Sequence, residues 1–84
     1  MAKSIHSREY AVFRRLLRRV RADAGVTQAE LASRLGVPQS RIAKVELGER
    51  RLDVIELRAW CMAIGTSLDH FAVRLEKSMS GRSM

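Results

Sequence analysis

The sequence predicts an all-α fold of five helices, and three observations lead to this prediction. Two capping boxes, Thr27 with Glu30 and Asp53 with Glu56, each mark the start of a helix, because the paired side chains satisfy two amides. Apolar residues recur at helical spacing along the chain. Glycines that can end a helix follow apolar stretches at Gly36, Gly48 and Gly65.

The first predicted helix begins at Ser7 or Arg8 and ends at Ala24. Its inward stripe consists of Tyr10, Phe13, Leu16, Leu17 and Val20. Arginines occupy the opposite side at Arg14, Arg15, Arg18, Arg19 and Arg21. Like charges at i, i+4 spacing destabilise an isolated helix by roughly a few tenths of a kcal/mol per pair, so docking or a polyanion must offset them. This arginine run is either a solvated surface or, in part, a contact with phosphate.

The next two predicted helices are short and lie close together within residues 27–48. The first follows the Thr27 capping box, places Leu31, Ala32 and Leu35 on one face, and ends at Gly36. Pro38 suits the start of the second helix, because its φ is fixed near the helical value and it has no amide to leave unpaired. Ile42 and Val45 form the inward face of this helix, and Gly48 closes it. Two short helices joined by a tight turn, at about residues 27–47, form a helix-turn-helix.

The outward face of the second short helix has the chemistry for nucleic-acid recognition. Its polar side chains all carry hydrogen-bonding groups, and no acidic residue appears before Glu46. Such a face is suited to contacts with base edges and phosphates. The polar residues are Gln39, Ser40, Arg41 and Lys44.

Two further helices complete the predicted fold. The fourth helix, from Asp53 to about Ile64, has apolar positions at Val54, Leu57, Trp60, Cys61 and Ile64. We assign Trp60 to the core rather than to base stacking, and Cys61 to a buried apolar position rather than to a reactive thiol. Thr66 or Ser67 can cap the last helix, whose apolar residues are Leu68, Phe71, Ala72 and Leu75. We expect one domain over residues 1–77 and a flexible tail over residues 78–84.

Composition limits the partners and the cellular compartment that the sequence predicts. The 84 residues carry a formal net charge of +7, which favours nucleic acid as the partner, with a membrane surface as the generic alternative. No apolar run is long enough to span a bilayer, the start of the chain does not resemble a secretory signal, and the single Cys61 excludes an intramolecular disulfide. These features fit a reducing cytoplasm. His6 and His70 lie far apart without neighbouring ligands, so we expect no metal and no cofactor.

Residues 21–71 resemble the phage-repressor-like helix-turn-helix family, of the Cro and repressor type, also called the XRE family. Several elements carry the resemblance in register: Gly25, Thr27-Gln28, Leu31-Ala32, Leu35-Gly36-Val37, Ile42, Val45-Glu46, Gly48 and Arg50. The resemblance implies a compact five-helix bundle of the lambda-repressor-like DNA-binding type. It also implies that the second helix crosses the phosphate backbone and the third places its first residues in the major groove.

The resemblance also assigns roles to individual residues. It implies that Gln28 holds a phosphate at the start of the second helix, although a simple polar capping-region role is the alternative. Pro38 departs from the usual Ser or Thr cap, so the third helix is expected to lack a capping side chain. Base reading is assigned to Gln39, Ser40 and Lys44. Further phosphate contacts are assigned to Arg41, Arg50 and Arg51.

A structural ion pair is a further implication of the resemblance. Arg21, near the end of the first helix, is expected to pair with Glu46, near the end of the third. A partly buried carboxylate without a partner is costly, so the role of this pair would be to tie the two helices together.

The implied function is a sequence-specific regulator of transcription, acting as a repressor on double-stranded DNA. One helix reads only about four base pairs, so we expect a homodimer on a palindromic operator. The alternative is an antitoxin, or another module whose main partner is a protein such as a toxin. An enzyme is disfavoured, because the sequence shows no nucleophile with a base, no paired carboxylates, no phosphate-binding glycine loop and no metal cluster.

Overall fold

A computed structural model of the chain describes residues 7–80, which form five α-helices and no strand. The helices are α1 (Arg8–Asp23), α2 (Gln28–Leu35), α3 (Gln39–Glu46), α4 (Val54–Ile64) and α5 (Leu68–Met79). The prediction of an all-α fold with a helix-turn-helix is confirmed, with α2 and α3 as its two helices. In the described part of the chain, no helix has the length and apolar character needed to cross a membrane.

Local capping explains where four of the helices begin. The side chains of Ser7, Thr27, Asp53 and Ser67 each accept a hydrogen bond from the amide three residues later. Both predicted capping boxes are complete. The fifth N-cap, Pro38, makes no side-chain hydrogen bond, so α3 is the helix without a capping side chain.

The third helix is closed by Gly48 as predicted, whereas the last helix runs further than the sequence predicts. The third helix ends at Glu46, with Leu47 as its C-cap, and Gly48 follows with the left-handed φ of +83° that closes a helix. The fifth helix continues to Met79, two residues into the predicted tail, and the Ser78 hydroxyl donates to the Arg74 carbonyl at 3.0 Å in its last turn. The rest of the predicted tail, residues 81–84, and the first six residues, including His6, lie outside the described residues.

One apolar core joins all five helices. Leu17, Leu31, Ile42, Val45 and Phe71 are almost completely buried and come from α1, α2, α3 and α5. Phe13 and Phe71 pack edge to face with ring centroids 5.9 Å apart. Trp60 and Cys61 supply the contribution of α4, which confirms that both are core residues.

Two residues predicted to face inward are exposed. Val54 is 59% exposed, because it lies in the first turn of α4 at the edge of an open groove that Tyr10 and Leu75 also line. Ala72 is also exposed, since Phe71 alone fills the inward position of that turn of α5.

Candidate nucleic-acid interface

The outer side of α3 presents the side chains that the sequence assigned to base reading. Gln39, Ser40 and Lys44 are exposed, while Ile42 and Val45 are buried beneath them. Gln39 and Ser40 lie in the first turn, and Lys44 lies four residues after Ser40 on the same face. Because Pro38 has no capping side chain, the amides of this first turn receive no side-chain hydrogen bond from the N-cap residue. The outer side of α3 can therefore offer amide, hydroxyl and ammonium groups to a ligand.

Arg41 lies on a different flank of α3 from the base-reading residues. It is half-buried and lines a cavity of about 160 Å³, which Glu56 and Trp60 of α4 also line. The sequence analysis assigned Arg41 to phosphate rather than to bases, and this assignment stays a prediction.

The expected pair of Arg21 and Glu46 is present and buried. Arg21 donates from Nε to Glu46 Oε2 at 2.6 Å and from Nη2 to Glu46 Oε1 at 2.9 Å. The Nη1 group of Arg21 donates to the Val26 carbonyl at 2.8 Å. The hydrogen bond to Glu46 raises the pKa of Arg21 further above its already high ordinary value. The hydrogen bonds of the Arg21 guanidinium therefore join the end of α1 to the end of α3 and to the loop before α2.

Gln28 is part of the same buried network. Its Nε2 group donates to Glu46 Oε1 at 2.9 Å, so the carboxylate receives three hydrogen bonds. The sequence assigned Gln28 to phosphate and did not predict this bond, because the two residues are eighteen positions apart and no local pattern links them. The network fixes the start of α2 against the end of α3.

Arg14 contacts the last turn of α3 from the other side. Its Nη1 group donates to the main-chain oxygen of Glu46 at 3.2 Å. A cation at the C-terminal end of a helix is favourable, because the unsatisfied carbonyls there carry partial negative charge. The side chain also passes Gly48, where an added Cβ would lie 3.0 Å from Arg14 Cδ and Nε. Sequence analysis identified Arg14 only as one of the α1 arginines.

The two arginines after α3 are engaged within the protein. Arg50 Nη2 lies 3.4 Å from Glu56 Oε2, and the Arg50 Nη1 group donates to the Arg51 carbonyl. The Arg51 guanidinium stacks over the ring of Tyr10 at 5.4 Å from its centroid. Both arginines were assigned to phosphate, and the structure places them next to α4 and the start of α1 respectively.

A basic cleft opens beside α3, between it and the outer side of α1. It has a volume of about 250 Å³. Three arginines of α1 line it together with one residue of α2 and three residues at the end of α3: Arg14, Arg15, Arg18, Gln28, Ala43, Glu46 and Leu47. Ala43 and Leu47 lie four and eight residues after Gln39, so they continue its row along the outer side of α3. The cleft therefore adjoins the face that carries the base-reading candidates.

The described residues show no group suited to metal or thiol chemistry. Within residues 7–80, no cluster of three His, Cys, Asp or Glu side chains could hold a metal ion. Cys61 is 1% exposed, and burial raises the pKa of its thiol, so the reactive thiolate is disfavoured.

Comparisons with known proteins identify the family of this chain. The family model HTH_3, described as Helix-turn-helix, matches residues 17–71. The chain is 49% identical to a solved structure, an XRE-family like protein from Pseudomonas syringae pv. tomato str. DC3000, with a TM-score of 0.79. The match covers 86% of this chain and 88% of that one. No curated protein matches the chain significantly. The chain therefore belongs to the XRE family of helix-turn-helix DNA-binding proteins.

Proposed function

We propose that this protein is a sequence-specific regulator of transcription that represses by occupying a palindromic operator as a homodimer in the cytoplasm. In this proposal α3 lies in the major groove, where Gln39, Ser40 and Lys44 contact base edges. A bidentate amide suits adenine, and an ammonium group suits guanine O6 and N7. Gln28, Arg41, Arg50 and Arg51 contribute contacts to phosphates, which position the domain without reading sequence.

The outer side of α3 is the observation that supports this proposal most directly. Three polar side chains without a negative charge are exposed there, on a helix held rigidly from behind. The rigidity comes from two apolar residues in the core and from the buried Arg21–Glu46 pair. A recognition helix needs this combination, because base contacts of fixed geometry require a fixed backbone.

We infer dimer formation from the small number of base pairs that one α3 helix can contact. One recognition helix contacts about four base pairs, which is too few to select one site among the many competing sites of a genome. A two-fold dimer doubles the contacted sequence and turns the operator into a palindrome. Helix α5 and the exposed part of α1 are the candidate dimer surfaces, and Val73 on α5 is 55% exposed.

In vitro selection from a random duplex library tests the proposal. The selection is run in parallel for the wild-type protein, the triple variant Gln39→Ala/Ser40→Ala/Lys44→Ala, and the control Arg58→Ala. Arg58 is exposed on α4, and its replacement removes one positive charge, as the triple variant also does. We expect the wild type and the control to enrich the same palindrome and the triple variant to enrich none.

Two other outcomes of the selection would contradict the proposal. If the triple variant enriches the same palindrome as the wild type, α3 does not read the bases. If neither protein enriches any sequence, the proposal of a specific regulator fails, and the antitoxin or partner-binding alternative takes its place. Co-purification of a small partner protein, such as a toxin, would then support that alternative.

A further inference from the structure

We propose that the basic cleft between α1 and the α2–α3 unit binds a phosphate of the DNA backbone, and that Arg15 and Arg18 are its ligands. This inference rests on the proposed DNA binding and names the residues and the chemical group involved. It moves the main electrostatic contact from the loop after α3 to the outer side of α1.

The position of the cleft is the first argument. Ala43 of α3 and the C-cap residue Leu47 line it, and they continue the row that starts at Gln39. DNA that lies against the outer side of α3 therefore passes directly beside the α1 arginines. The cleft, of about 250 Å³, is several times the roughly 30 Å³ share of one water molecule, so it has room for a phosphodiester group with its water.

The charge balance inside the cleft is the second argument. Among the described residues that line it, Glu46 is the one acidic side chain, and its carboxylate receives hydrogen bonds from Arg21 and Gln28. The ion pair with Arg21 neutralises it. Arg14 is held at the main-chain oxygen of Glu46, so it lines the wall as a further cation. The net charge of the lining is therefore positive, which favours an anion over a cation.

The lack of partners for Arg15 and Arg18 is the third argument. Both side chains are exposed, and within residues 7–80 neither forms an ion pair or a hydrogen bond to another group. Each has a like charge four residues away on α1, Arg19 and Arg14 respectively, an arrangement that destabilises a helix. A bound phosphate would offset this repulsion with charge-assisted hydrogen bonds.

The arginines of the α3–α4 loop differ in this respect. Arg50 already faces Glu56, and Arg51 already stacks on Tyr10. A phosphate contact there would have to compete with an existing contact. Within residues 7–80, Arg15 and Arg18 have no such contact to give up, so they are better placed to supply the larger share of the electrostatic attraction.

Salt-dependent binding tests the inference. Fluorescence anisotropy measures affinity for the duplex enriched by selection and for a scrambled duplex of equal length, between 50 and 200 mM salt. The test variant is Arg15→Ala/Arg18→Ala. The control, Arg34→Ala/Arg58→Ala, removes the same charge from exposed residues that do not line the cleft and lie on neither α1 nor α5. Melting curves of all variants show whether each one folds.

The test variant should bind both duplexes more weakly by roughly tenfold or more, with its sequence preference kept. Its log–log salt slope should be shallower than that of the wild type by about one or two for each protomer. The melting temperature should not fall, because like charges are removed. The charge-retaining variant Arg15→Lys/Arg18→Lys should recover most of the slope.

A salt slope equal to that of the control variant would overturn the inference. The outcome separates this inference from the proposed function. If the wild type discriminates the selected duplex and the test variant matches the control, the phosphate site fails and the proposed function stands. If the wild type shows no discrimination but the test variant still loses slope, the proposed function fails and the phosphate site stands.

Discussion

Glu46 is the residue on which the arrangement of α1, α2 and α3 depends. Its carboxylate binds Arg21 and Gln28, and its carbonyl oxygen accepts from Arg14. Its side chain is 3% exposed and that of Arg21 is 10% exposed, so water cannot replace a lost partner. No buried polar side-chain atom in the described residues lacks a hydrogen-bond partner, which is the condition for keeping such a network inside a protein.

Replacing Glu46 by alanine should therefore destabilise the protein strongly. Removing one partner of a buried ion pair leaves an uncompensated charge, and such changes cost about 3–5 kcal/mol. Urea denaturation of the wild type and of Glu46→Ala measures this difference. A variant that unfolds at the same urea concentration as the wild type would contradict a structural role for the pair.

The double variant Arg21→Met/Glu46→Leu is the control for this prediction. It removes both charges, and replacing a buried ion pair by apolar residues of similar volume is often close to neutral. It should recover most of the stability lost in Glu46→Ala. If it is as unstable as the single variant, the loss comes from packing rather than from the unpaired Arg21.

Gly48 gives a second prediction at the residue scale. Its φ of +83° is unfavourable for any residue with a Cβ, and an added Cβ would also press on the Arg14 side chain at 3.0 Å. Gly36 has a φ of +69°, but an added Cβ there would meet nothing within 4 Å. Gly36→Ala should therefore show only the backbone strain, about 1–2 kcal/mol. Gly48→Ala should lose more than that in the same denaturation experiment, and equal losses would exclude a contribution from Arg14.

At the scale of elements, the sequence was a good guide to where the helices begin. Each capping side chain bonds the amide three residues later, so the residues that form the contact stand close together in the sequence. The contact can therefore be predicted from the sequence alone. The end of α5, at Met79, differed from the prediction because no local sequence pattern fixes it. A helix end depends on which carbonyls find partners, and distant groups such as Arg14 supply some of them.

The candidate site could be predicted only in part, for the same reason. The outer side of α3 follows from helical periodicity, and Gln39, Ser40 and Lys44 are exposed as expected. The cleft beside it brings α1 next to α3, two helices with fifteen residues between them in the sequence, so no local pattern predicts it. The contacts of Arg50 and Arg51 likewise depend on how the loop after α3 returns to α4 and Tyr10.

The capping box of α2 makes a prediction about pH. The Thr27 amide donates to the Glu30 carboxylate at 2.8 Å, and this lowers the pKa of Glu30 below its ordinary value. A lowered pKa in the folded state means that the contribution of Glu30 to stability is present above the unfolded pKa and is lost as pH falls through the folded pKa. An NMR titration of the Glu30 carboxyl group should show the lowered value, and titration at the ordinary value would contradict the capping box.

Thr27→Ala separates the two halves of the box. The variant loses the hydroxyl that accepts from the Glu30 amide, which should cost about 1 kcal/mol of stability. It keeps the backbone amide, which is the largest cause of the lowered pKa, so Glu30 should still titrate below its ordinary value.

At the scale of the whole molecule, net charge and its distribution set the strength of DNA binding. The chain carries a formal charge of +7 and an arginine-rich outer side of α1 next to the outer side of α3. If each protomer neutralises about three to five phosphates, the affinity of the dimer should fall steeply with salt, with a log–log slope on the order of −5 to −9. Titration of labelled duplex at four salt concentrations measures the slope, and a value near zero would contradict an electrostatic contribution.

If the protein binds its operator as a dimer, as proposed, protein concentration and the monomer–dimer equilibrium set how much of the operator is occupied. Sedimentation of the protein alone and with the selected duplex should show two protomers on each palindrome. A dissociation constant of the dimer far below the cellular concentration would contradict control by dimerisation, because the protein would then always be dimeric.

The ratio of affinities for the selected and scrambled duplexes is the most direct measurement of the central claim, that α3 reads DNA sequence. At fixed salt, the wild type should bind the selected duplex at least about a thousandfold more tightly than the scrambled one. In Gln39→Ala/Ser40→Ala/Lys44→Ala the ratio should approach one, while affinity for the scrambled duplex changes little. A triple variant that keeps the wild-type ratio would show that sequence is read elsewhere on the protein.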